Sequence, residues 1–298
     1  MGKDDLLAIK GMKKEELDGF LQLAAKLKKG KKVSEDLKGK TLAMLFEKPS
    51  TRTRVSFEVA MTQLGGHAIN LDFKSTQLSR GETMADSARV LSRYVDAVML
   101  RLYKHSDLKE FAASSNVPVI NGLTDLEHPC QALADYLTIR ENGKEKGKFV
   151  FLGDCSNNVA NSIMLVCAMF GMKTVLSCPP SYPVNEDYLK EARSFGAEVE
   201  VVSNPQEAVK DADVLYSDVW VSMGMEDEEE RLKAFKPYQI NSLLLSKAKS
   251  ECIVLHCLPA HRGQEITSEV LDGKNSAVWD QAENRLHVQK AILLKLIA

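Results

Sequence analysis

Short apolar runs alternate with stretches of helical periodicity along almost the whole of this 298-residue chain. Apolar spacing predicts an opening amphipathic helix over 14–29. The strands expected in the first half lie near 41–46, 67–71, 97–102 and 117–120. The helices expected between and after them cover 53–64, 83–94, 106–114 and 129–141. Strands that alternate with helices form mostly parallel sheets flanked by helices, so the pattern predicts an α/β fold.

A polar, glycine-punctuated segment, Glu141–Lys148, then interrupts the alternation and is typical of a domain boundary. A second series of predicted strands follows near 149–153, 173–177, 198–202, 213–217 and 252–256. Predicted helices cover 157–170, 186–196, 205–210 and 239–248, and a last helix covers 280–297. The chain is therefore expected to form two α/β domains of ordinary size.

The composition is typical of a soluble globular protein, with 44% hydrophobic and 27% charged residues. A formal net charge of -2 provides no general attraction to nucleic acid, and no run of about 20 apolar residues is present to cross a membrane. The N-terminal sequence lacks the pattern of a signal peptide. The six cysteines form no Cys-x-x-Cys pair, and no histidine cluster has zinc-ligand spacing. We therefore expect free thiols, a cytoplasmic location, and neither a metal nor a cofactor.

Hydroxyl and guanidinium groups are concentrated shortly after the first predicted strand. The sequence there reads Ser50-Thr51-Arg52-Thr53-Arg54, at the start of the following predicted helix. The first turn of a helix presents unpaired N–H groups and the positive end of the helix dipole, so this segment is suited to binding phosphate. It does not contain the P-loop pattern. A plain helix cap with solvated arginines is the alternative.

Several other predicted strands end in polar clusters, and parallel sheets bind ligands beyond the carboxyl ends of their strands. In the first half, Arg101 ends one strand, and His128 and Gln131 open the helix that follows the next. Because His128 and Gln131 are three residues apart at a helix start, they share a face. Structural alternatives remain open, with Arg101 as a strand terminator and His128 as a helix cap.

Three of the five predicted strands of the second half also end in polar clusters. Asn158 follows the first of the five strands, Asp218 follows the fourth, and Cys257 follows the fifth. Asp218 offers the negative charge that an ammonium group needs, and Asn158 offers N–H donors to a carboxylate. The alternatives are that Asp218 caps a turn, that Asn158 caps a helix and that Cys257 is an inert buried thiol.

Together these segments resemble the aspartate/ornithine carbamoyltransferase family over about residues 5–298. The Ser-Thr-Arg-Thr-Arg and His-Pro-Cys-Gln motifs mark the family, and Asp-x-Trp-x-Ser-Met-Gly and His-Cys-Leu-Pro mark its ornithine branch. One departure is Ser79, where many relatives carry glycine, and it affects only the local loop shape. The resemblance implies a carbamoyl phosphate-binding domain over 1–142, with 280–298 packing back on it, and an ornithine-binding domain over 148–279.

The resemblance also implies the residues of each site. Those expected to bind carbamoyl phosphate are Ser50, Thr51, Arg52, Thr53, Gln77, Arg101, His128, Gln131, Cys257, Leu258 and Arg285. Those expected to bind ornithine are Asn158, Asp218, Ser222 and Met223. The expected catalytic residues are Arg101, His128, Asp218 and Cys257. The family pattern further implies a cis peptide at Leu258–Pro259 and a loop over 75–82 that reaches into a neighbouring subunit.

The implied reaction transfers the carbamoyl group of carbamoyl phosphate to the δ-amine of L-ornithine and gives L-citrulline and phosphate. The implied assembly is a homotrimer or a multiple of trimers, with no nucleic-acid or membrane partner. The alternatives are another amine acceptor, such as aspartate or putrescine, and an inactive ligand-binding paralogue. An aspartate pocket should contain arginines, yet none lies between Asp218 and Arg231. A dinucleotide-binding oxidoreductase is disfavoured because Gly153–Asn157 lacks the Gly-x-Gly-x-x-Gly pattern.

The segment 219–230 is a candidate lid over the amino acid, because a lid would exclude water from a substrate that is open to hydrolysis. The acidic run at its end, Glu226–Glu230, is typical of a solvated helix start.

Overall fold

The computed structural model describes residues 4–221 and 227–298. Its contacts divide the chain into two compact units, one made of the residues up to Leu133 together with Asn284–Ala298, and the other made of Ala134–Glu283. The last residues of the chain thus pack with the first unit, as the resemblance implies. A domain boundary at Glu141–Lys148 stays a prediction. Within the described ranges, no helix combines the length and the apolar character that crossing a membrane requires.

The first unit is built around a four-stranded sheet in which every pairing is parallel. Its strands are β1 (Thr41–Phe46), β2 (His67–Asp72), β3 (Ala97–Arg101) and β4 (Val119–Leu123), in the order β2-β1-β3-β4. Its helices are α1 (Lys14–Lys29), α2 (Thr51–Gln63), α3 (Met84–Leu91) and α4 (His105–Ser114), and α5 (Pro129–Glu141) begins in this unit. The two central strands, β1 and β3, are buried along almost their whole lengths, as their continuous apolar sequences predict.

The second unit is built around a five-stranded sheet that is also parallel. Its strands are β5 (Lys148–Leu152), β6 (Lys173–Ser177), β7 (Val199–Val201), β8 (Val214–Ser217) and β9 (Ile253–His256), in the order β7-β6-β5-β8-β9. Its helices are α6 (Asn158–Met169), α7 (Glu186–Ser194), α8 (Pro205–Ala208), α9 (Glu228–Phe235), α10 (Ser242–Leu245) and α11 (Ser268–Leu271), and α12 (Val278–Ile297) begins in this unit. The nearly all-apolar α6 is buried from Val159 to Met169 and forms part of the core of this unit.

Each sheet reverses its strand order at one internal point. In the first, the chain runs from β1 to β2 and then returns to the other side of β1 with β3; in the second, β5 and β8 have the same relationship. Parallel sheets bind ligands beyond the carboxyl ends of the strands at such switch points. The segments that follow β1, β3, β5 and β8 are therefore the expected positions of a site. They carry Ser50–Arg54, Arg101, Asn158 and Asp218, whereas His128 and Cys257 follow the neighbouring strands β4 and β9.

Most predicted elements agree with the structure to within a few residues, but the helix predicted over 239–248 is wrong over most of its length. Only the four residues of α10 are α-helical there. The chain before α10 is extended because Ile240 pairs with Ile266 in a parallel bridge. Asn241 then caps α10 by accepting a hydrogen bond from the Leu244 N–H at 2.9 Å. The short helix α11 was not predicted.

Candidate active site

The turn after β1 leads into a helix start that is capped by its own serine. Ser50 precedes α2 in an extended conformation, and its Oγ accepts a hydrogen bond from the Thr53 N–H at 3.3 Å. Thr53 is buried, whereas Thr51 and Arg52 are exposed. The capping alternative is therefore correct for Ser50. It does not exclude anion binding, because a single cap satisfies only one of the four orphan N–H groups at a helix start.

Arg285 connects this helix start with α5, although it is 232 residues from Thr53 in the sequence. Its Nη2 donates a hydrogen bond to Thr53 Oγ1 at 3.0 Å, and its Nη1 donates to Gln131 Oε1 at 2.5 Å. All three side chains are buried. Because both acceptors are uncharged, these hydrogen bonds orient the guanidinium without cancelling its charge.

Arg101, at the end of β3, holds the loop that precedes α2. Its Nε donates a hydrogen bond to the Lys48 carbonyl at 3.1 Å, and its own carbonyl accepts one from the Glu47 N–H at 2.9 Å. Its Nη1 lies 3.5 Å from the Gly122 carbonyl. The neighbouring strands β1 and β3 therefore place the Ser50–Thr53 helix start and Arg101 at the same edge of the sheet.

His128 lies directly before α5 and is almost fully buried, with 4% of its surface exposed. Burial, and then the positive charges of Arg285, Arg101 and Lys48, hold the pKa of His128 well below its ordinary value. The imidazole is therefore neutral at neutral pH, and one of its ring nitrogens carries a proton that it can donate in a hydrogen bond. The three cations that oppose a positive charge on His128 also favour a bound anion.

The sequence analysis missed Lys48. Its charge acts on His128, and its Nζ lies 5.9 Å from the centroid of the Tyr103 ring. A lysine in a polar turn is usually solvated, so the pattern offered no signal for it. Gln77 lies exposed in a short 3₁₀ turn (Gln77–Arg80), and its place in the site stays a prediction.

In the second unit, the Cys257 thiol donates a hydrogen bond to Asp218, with a distance of 2.9 Å between Sγ and Oδ1. The two residues follow neighbouring strands, β9 and β8, whose register pairs His256 with Ser217. Burial, and then the Asp218 carboxylate, raise the pKa of the Cys257 thiol well above its ordinary value. Burial also raises the pKa of Asp218. Cys257 is therefore a protonated donor at neutral pH rather than a base.

The capping alternative for Asn158 is wrong by one residue, because Asn157 is the N-cap of α6. Asn157 Oδ1 accepts a hydrogen bond from the Ala160 N–H at 2.7 Å, and its Nδ2 donates to Asp218 Oδ2 at 3.3 Å. Asn158 is the half-buried first residue of α6, and its binding role stays a prediction. Gly153 begins the turn from β5 into α6 with a φ of +124°, a conformation that favours glycine.

A buried histidine braces the segment that carries Cys257. His256 Nδ1 accepts a hydrogen bond from the Leu258 N–H at 2.9 Å, and His256 Nε2 lies 3.2 Å from Glu265 Oε1. The Leu258–Pro259 peptide is cis, as the resemblance implies, and Leu258 has a φ of +57°. These contacts hold the backbone on both sides of Cys257. The role of Leu258 in binding carbamoyl phosphate stays a prediction.

Arg231, in α9, links the turn after β5 with the segment after β8. Its buried guanidinium forms an ion pair with Asp154 of that turn, and its Nε donates a hydrogen bond to the Trp220 carbonyl of that segment at 2.6 Å. Its Nη1 lies 3.6 Å from Asp227 Oδ2. The exposed glutamates that follow Asp227 open α9, as the acidic run predicts.

Two of the expected ornithine ligands, Ser222 and Met223, lie outside the described residues, and so does part of the lid predicted over 219–230. In residues 4–221 and 227–298, no three His, Cys, Asp or Glu side chains are grouped so that they could hold a metal ion. The six cysteines are free, and five of them are buried while Cys257 is partly exposed.

These features define a two-domain α/β protein whose first unit has a cationic edge and whose second unit has a carboxylate–thiol edge. A family model of the carbamoyl phosphate-binding domain of aspartate/ornithine carbamoyltransferase matches residues 4–141. The model of the aspartate- or ornithine-binding domain of the same family matches residues 145–296. The chain belongs to the aspartate/ornithine carbamoyltransferase family.

Within this family, the chain is similar to proteins named ornithine carbamoyltransferase. The one from Archaeoglobus fulgidus is 56% identical over 98% of this chain and 97% of its own length. The one from Bacillus subtilis is 53% identical over 98% of this chain and 93% of its own length. The solved structure of the ornithine carbamoyltransferase from Pyrococcus furiosus matches with a TM-score of 0.94 and 52% identity, over 99% of this chain and 97% of that one.

Proposed function

We propose that the protein transfers the carbamoyl group of carbamoyl phosphate to the δ-amine of L-ornithine, with L-citrulline and phosphate as products. The observation that carries the proposal is the pair of opposite charge sets: three cations surround neutral His128 in one unit, and the Asp218 carboxylate lies beside the Cys257 thiol in the other. The first set suits an acyl phosphate and the second suits an amine. The names of relatives at 52% and 56% identity support the same reaction.

The phosphate group of carbamoyl phosphate binds at the N-terminus of α2. The first-turn N–H groups and the hydroxyls of Ser50 and Thr51 donate hydrogen bonds to its oxygens. Arg52, which is exposed at that turn, and Arg101 neutralise its charge, and they continue to do so as the phosphate leaves. Gln77 is the remaining expected ligand at this end.

The carbamoyl carbonyl oxygen becomes an oxyanion when the amine attacks. Thr53, Arg101 and His128 are the donors for this oxyanion, and each well-aimed donor contributes roughly 3–4 kcal/mol to transition-state stabilisation. His128 suits the role because it is held neutral and keeps the donor proton. Arg285 fixes Thr53 and Gln131 through its two hydrogen bonds, so the donors are oriented before substrate arrives.

Asp218 receives the positive charge of ornithine, and Asn158, Ser222 and Met223 complete the set that recognises its α-groups. The δ-ammonium has a pKa of about 10 and must lose a proton before it attacks. Because Cys257 already carries its proton, it orients Asp218, and the ammonium proton passes to Asp218 or to the leaving phosphate. The nitrogen–carbon bond then forms, and the carbon–oxygen bond to phosphate breaks.

Acceptor profiling tests this proposal. Carbamoyl phosphate is supplied with ornithine, aspartate, putrescine or acetylornithine, and the carbamoylated products are quantified. We expect ornithine to exceed every other acceptor by at least about a hundredfold in kcat/KM, roughly 2.7 kcal/mol. An aspartate preference would contradict the proposal, because Asp218 repels a second carboxylate. Binding of both substrates without citrulline formation would instead identify an inactive paralogue.

We propose that the assembly is a homotrimer or a multiple of trimers, in which Gln77 is supplied to the site of a neighbouring copy. Gln77 is exposed in its own chain. An open groove of about 940 Å³ beside the start of α2 is lined by Ser50, Thr51, Val55 and Tyr103. Val55 and Tyr103 are large apolar side chains that are 50% and 48% exposed, which is consistent with burial by a second copy.

Light scattering and subunit mixing test the assembly. We expect the mass of three chains, or a multiple of three. The variants Gln77→Ala and Cys257→Ala should each be nearly inactive alone. Mixed trimers should regain activity at sites where one subunit supplies an unaltered Gln77 and its neighbour supplies an unaltered Cys257. A monomer, or no recovery after subunits have exchanged, would contradict a shared site.

We also propose a cytoplasmic location with no nucleic-acid or membrane partner. A reducing compartment keeps a thiol such as that of Cys257 in the form that the proposed reaction uses. Fractionation of cells with an antibody against the chain tests the location.

A further inference from the structure

A buried carboxylate that the proposed reaction does not touch connects the two strands whose ends carry Asp218 and Cys257. Asp135 lies in α5 and has 0% of its surface exposed. Its Oδ2 accepts a hydrogen bond from Tyr216 Oη at 2.9 Å, and its Oδ1 accepts one from Gln281 Nε2 at 2.7 Å. Both donors are buried as well. One carboxylate therefore joins α5 to β8 and to α12.

Gln281 extends this connection to the backbone beside Cys257. Its Oε1 accepts a hydrogen bond from the His256 N–H at 2.8 Å. A backbone N–H can only donate, so Gln281 must present its oxygen to His256 and its amino group to Asp135. The chain of hydrogen bonds therefore has one direction, and it requires an acceptor oxygen at position 135.

Tyr216 is held at its ring and at its hydroxyl. The ring packs on Phe149 and Phe151 of β5, with centroid distances of 6.0 and 5.5 Å. Burial, and then the Asp135 carboxylate, raise the pKa of Tyr216 well above its ordinary value, so the hydroxyl keeps its proton and donates it to Asp135. Tyr216 therefore has a fixed place in β8, two residues before Asp218.

The carboxylate–thiol pair begins where the pairing of the two strands ends. The last paired residues of β8 and β9 are Ser217 and His256, and the Cys257 thiol donates to Asp218 at 2.9 Å directly beyond them. The distance between Sγ and Oδ1 thus depends on how the two strand ends lie relative to each other. Asp135 is connected to both strands immediately before this point.

We propose that Asp135 is a positioning residue for the Asp218–Cys257 pair. It acts through Tyr216 on the end of β8 and through Gln281 on the end of β9. A buried carboxylate is costly, and an asparagine would be cheaper to bury, but its single oxygen cannot accept from donors on two sides. This inference rests on the proposed function for its effect on turnover, and the state of the thiol is measured separately.

The variant Asp135→Asn tests the proposal with two readouts on the full-length protein. We expect kcat for citrulline formation to fall more than about tenfold, while the Kd for carbamoyl phosphate changes less than about twofold. The second readout is alkylation by iodoacetamide, followed by mass spectrometry. Cys257 is partly exposed, whereas the other five cysteines are buried. Burial and Asp218, and after them Asp135, raise the pKa of Cys257, so the variant should be alkylated more than about three times faster at about pH 8.

An exchange of the two side chains separates positioning from simple packing. Gln281→Glu alone places two carboxylates against each other and should also impair turnover. Asp135→Asn combined with Gln281→Glu moves the carboxylate from α5 to α12. The new carboxylate accepts from the His256 N–H and from the new amide, whose oxygen accepts from Tyr216. We expect the double variant to recover kcat and the alkylation rate to within about threefold of the unaltered protein.

Asp213→Asn is the matched control. Asp213 is a buried carboxylate directly before β8, at the opposite end of that strand, where it accepts a hydrogen bond from the Lys148 N–H at 2.9 Å. This variant should unfold at a lower urea concentration but keep kcat and the alkylation rate. If Asp135→Asn does not fold, Tyr216→Phe provides a second test, because it removes one hydroxyl, keeps the ring and should lower kcat several-fold.

Two results would overturn the inference. One is an Asp135→Asn protein, or a Tyr216→Phe protein in its place, with the original kcat and alkylation rate. The other is a folded double variant that is no more active than either single variant. An unaltered protein that makes no citrulline contradicts the proposed function instead, and the alkylation rates still compare Asp135→Asn with Asp213→Asn.

Discussion

The Cys257 thiol donates its hydrogen bond to Asp218 across 2.9 Å, so the sulfur retains its proton in the folded protein. Burial and the neighbouring carboxylate both oppose a thiolate and raise the pKa of Cys257. An ammonium group bound beside the pair would act in the opposite direction, because a positive charge favours both anions. Cys257 therefore orients the carboxylate, and its substitution should affect turnover more than it affects binding of the acyl phosphate.

The first prediction is that Cys257→Ser lowers kcat by more than about tenfold, a barrier change above roughly 1.4 kcal/mol. The shorter and far less acidic hydroxyl cannot reproduce the geometry of the thiol beside Asp218. Binding of carbamoyl phosphate, measured by calorimetry, should change less than about twofold. Cys252→Ala is the matched control, since it alters a buried thiol at the opposite end of β9. Turnover at the wild-type rate in Cys257→Ser would remove this residue from the mechanism.

The second prediction concerns the buried guanidinium of Arg285. Arg285→Gln should raise the Kd for carbamoyl phosphate by more than about tenfold, because it removes a positive charge and releases Thr53 and Gln131. Arg54→Gln is the control, because Arg54 is exposed and pairs with Glu58 at 2.9 Å on the same helix as Thr53. Equal losses in the two variants would indicate a general effect of charge rather than a role of Arg285.

A second readout separates charge from orientation at Arg285. Among the positive charges that lower the pKa of His128, the charge of Arg285 has the largest effect. Arg285→Gln should therefore move the pKa of His128 upward in an NMR titration, whereas Arg285→Lys should restore most of the original value. An unchanged pKa in Arg285→Gln would show that His128 does not sense this guanidinium.

The third prediction concerns stability at acid pH. The pKa of His128 lies well below its ordinary value of 6.5 in the folded state, so below about pH 6.5 the unfolded chain binds a proton that the folded chain does not. The free energy of unfolding should therefore fall as pH falls below that value, by at most about 1.4 kcal/mol per pH unit from this residue. Urea unfolding of His128→Gln should show a shallower fall than the unaltered protein.

The matched control for this experiment is His67→Gln, which alters an exposed histidine at the start of β2 and should keep the original slope. His105 contributes in the same direction, since burial also lowers its pKa, and it is present in both variants. The comparison therefore isolates His128. If His128→Gln and His67→Gln have the same slope between about pH 7.5 and pH 5.5, the buried imidazole does not resist protonation.

The sequence predicted the sheets and the strand ends well because both depend on local pattern. Continuous apolar runs identify buried parallel strands, and the polar residues that follow them must lie at one edge of the sheet. The meeting of Arg285 with Thr53 is different. It joins residues 232 positions apart, and only the resemblance pointed to it, because an arginine in a polar helical stretch is usually solvated.

Two other misses have equally specific causes. Two asparagines in succession, Asn157 and Asn158, make the N-cap ambiguous by one residue, and the start of α6 decides which of them caps. The helix expected over 239–248 is shortened by the pairing of Ile240 with Ile266, a contact across more than twenty residues that periodicity cannot register. In the second case a tertiary contact overrides the local pattern.

The fourth prediction separates the two roles of Asn157, as helix cap and as donor to Asp218. Asn157→Ser should keep the cap of α6, because a serine hydroxyl also accepts from the first-turn N–H groups, but it cannot donate across to Asp218. The KM for ornithine should rise several-fold, by about 0.5–1.5 kcal/mol for one lost hydrogen bond, with an unchanged melting temperature.

Asn157→Ala should lose both roles. Its KM for ornithine should match that of Asn157→Ser, and its free energy of unfolding should be lower than that of Asn157→Ser by about 1 kcal/mol. Steady-state kinetics at saturating carbamoyl phosphate and thermal unfolding of the same preparations provide the two readouts. An Asn157→Ser protein with the original KM would show that the 3.3 Å contact does not position Asp218 for ornithine.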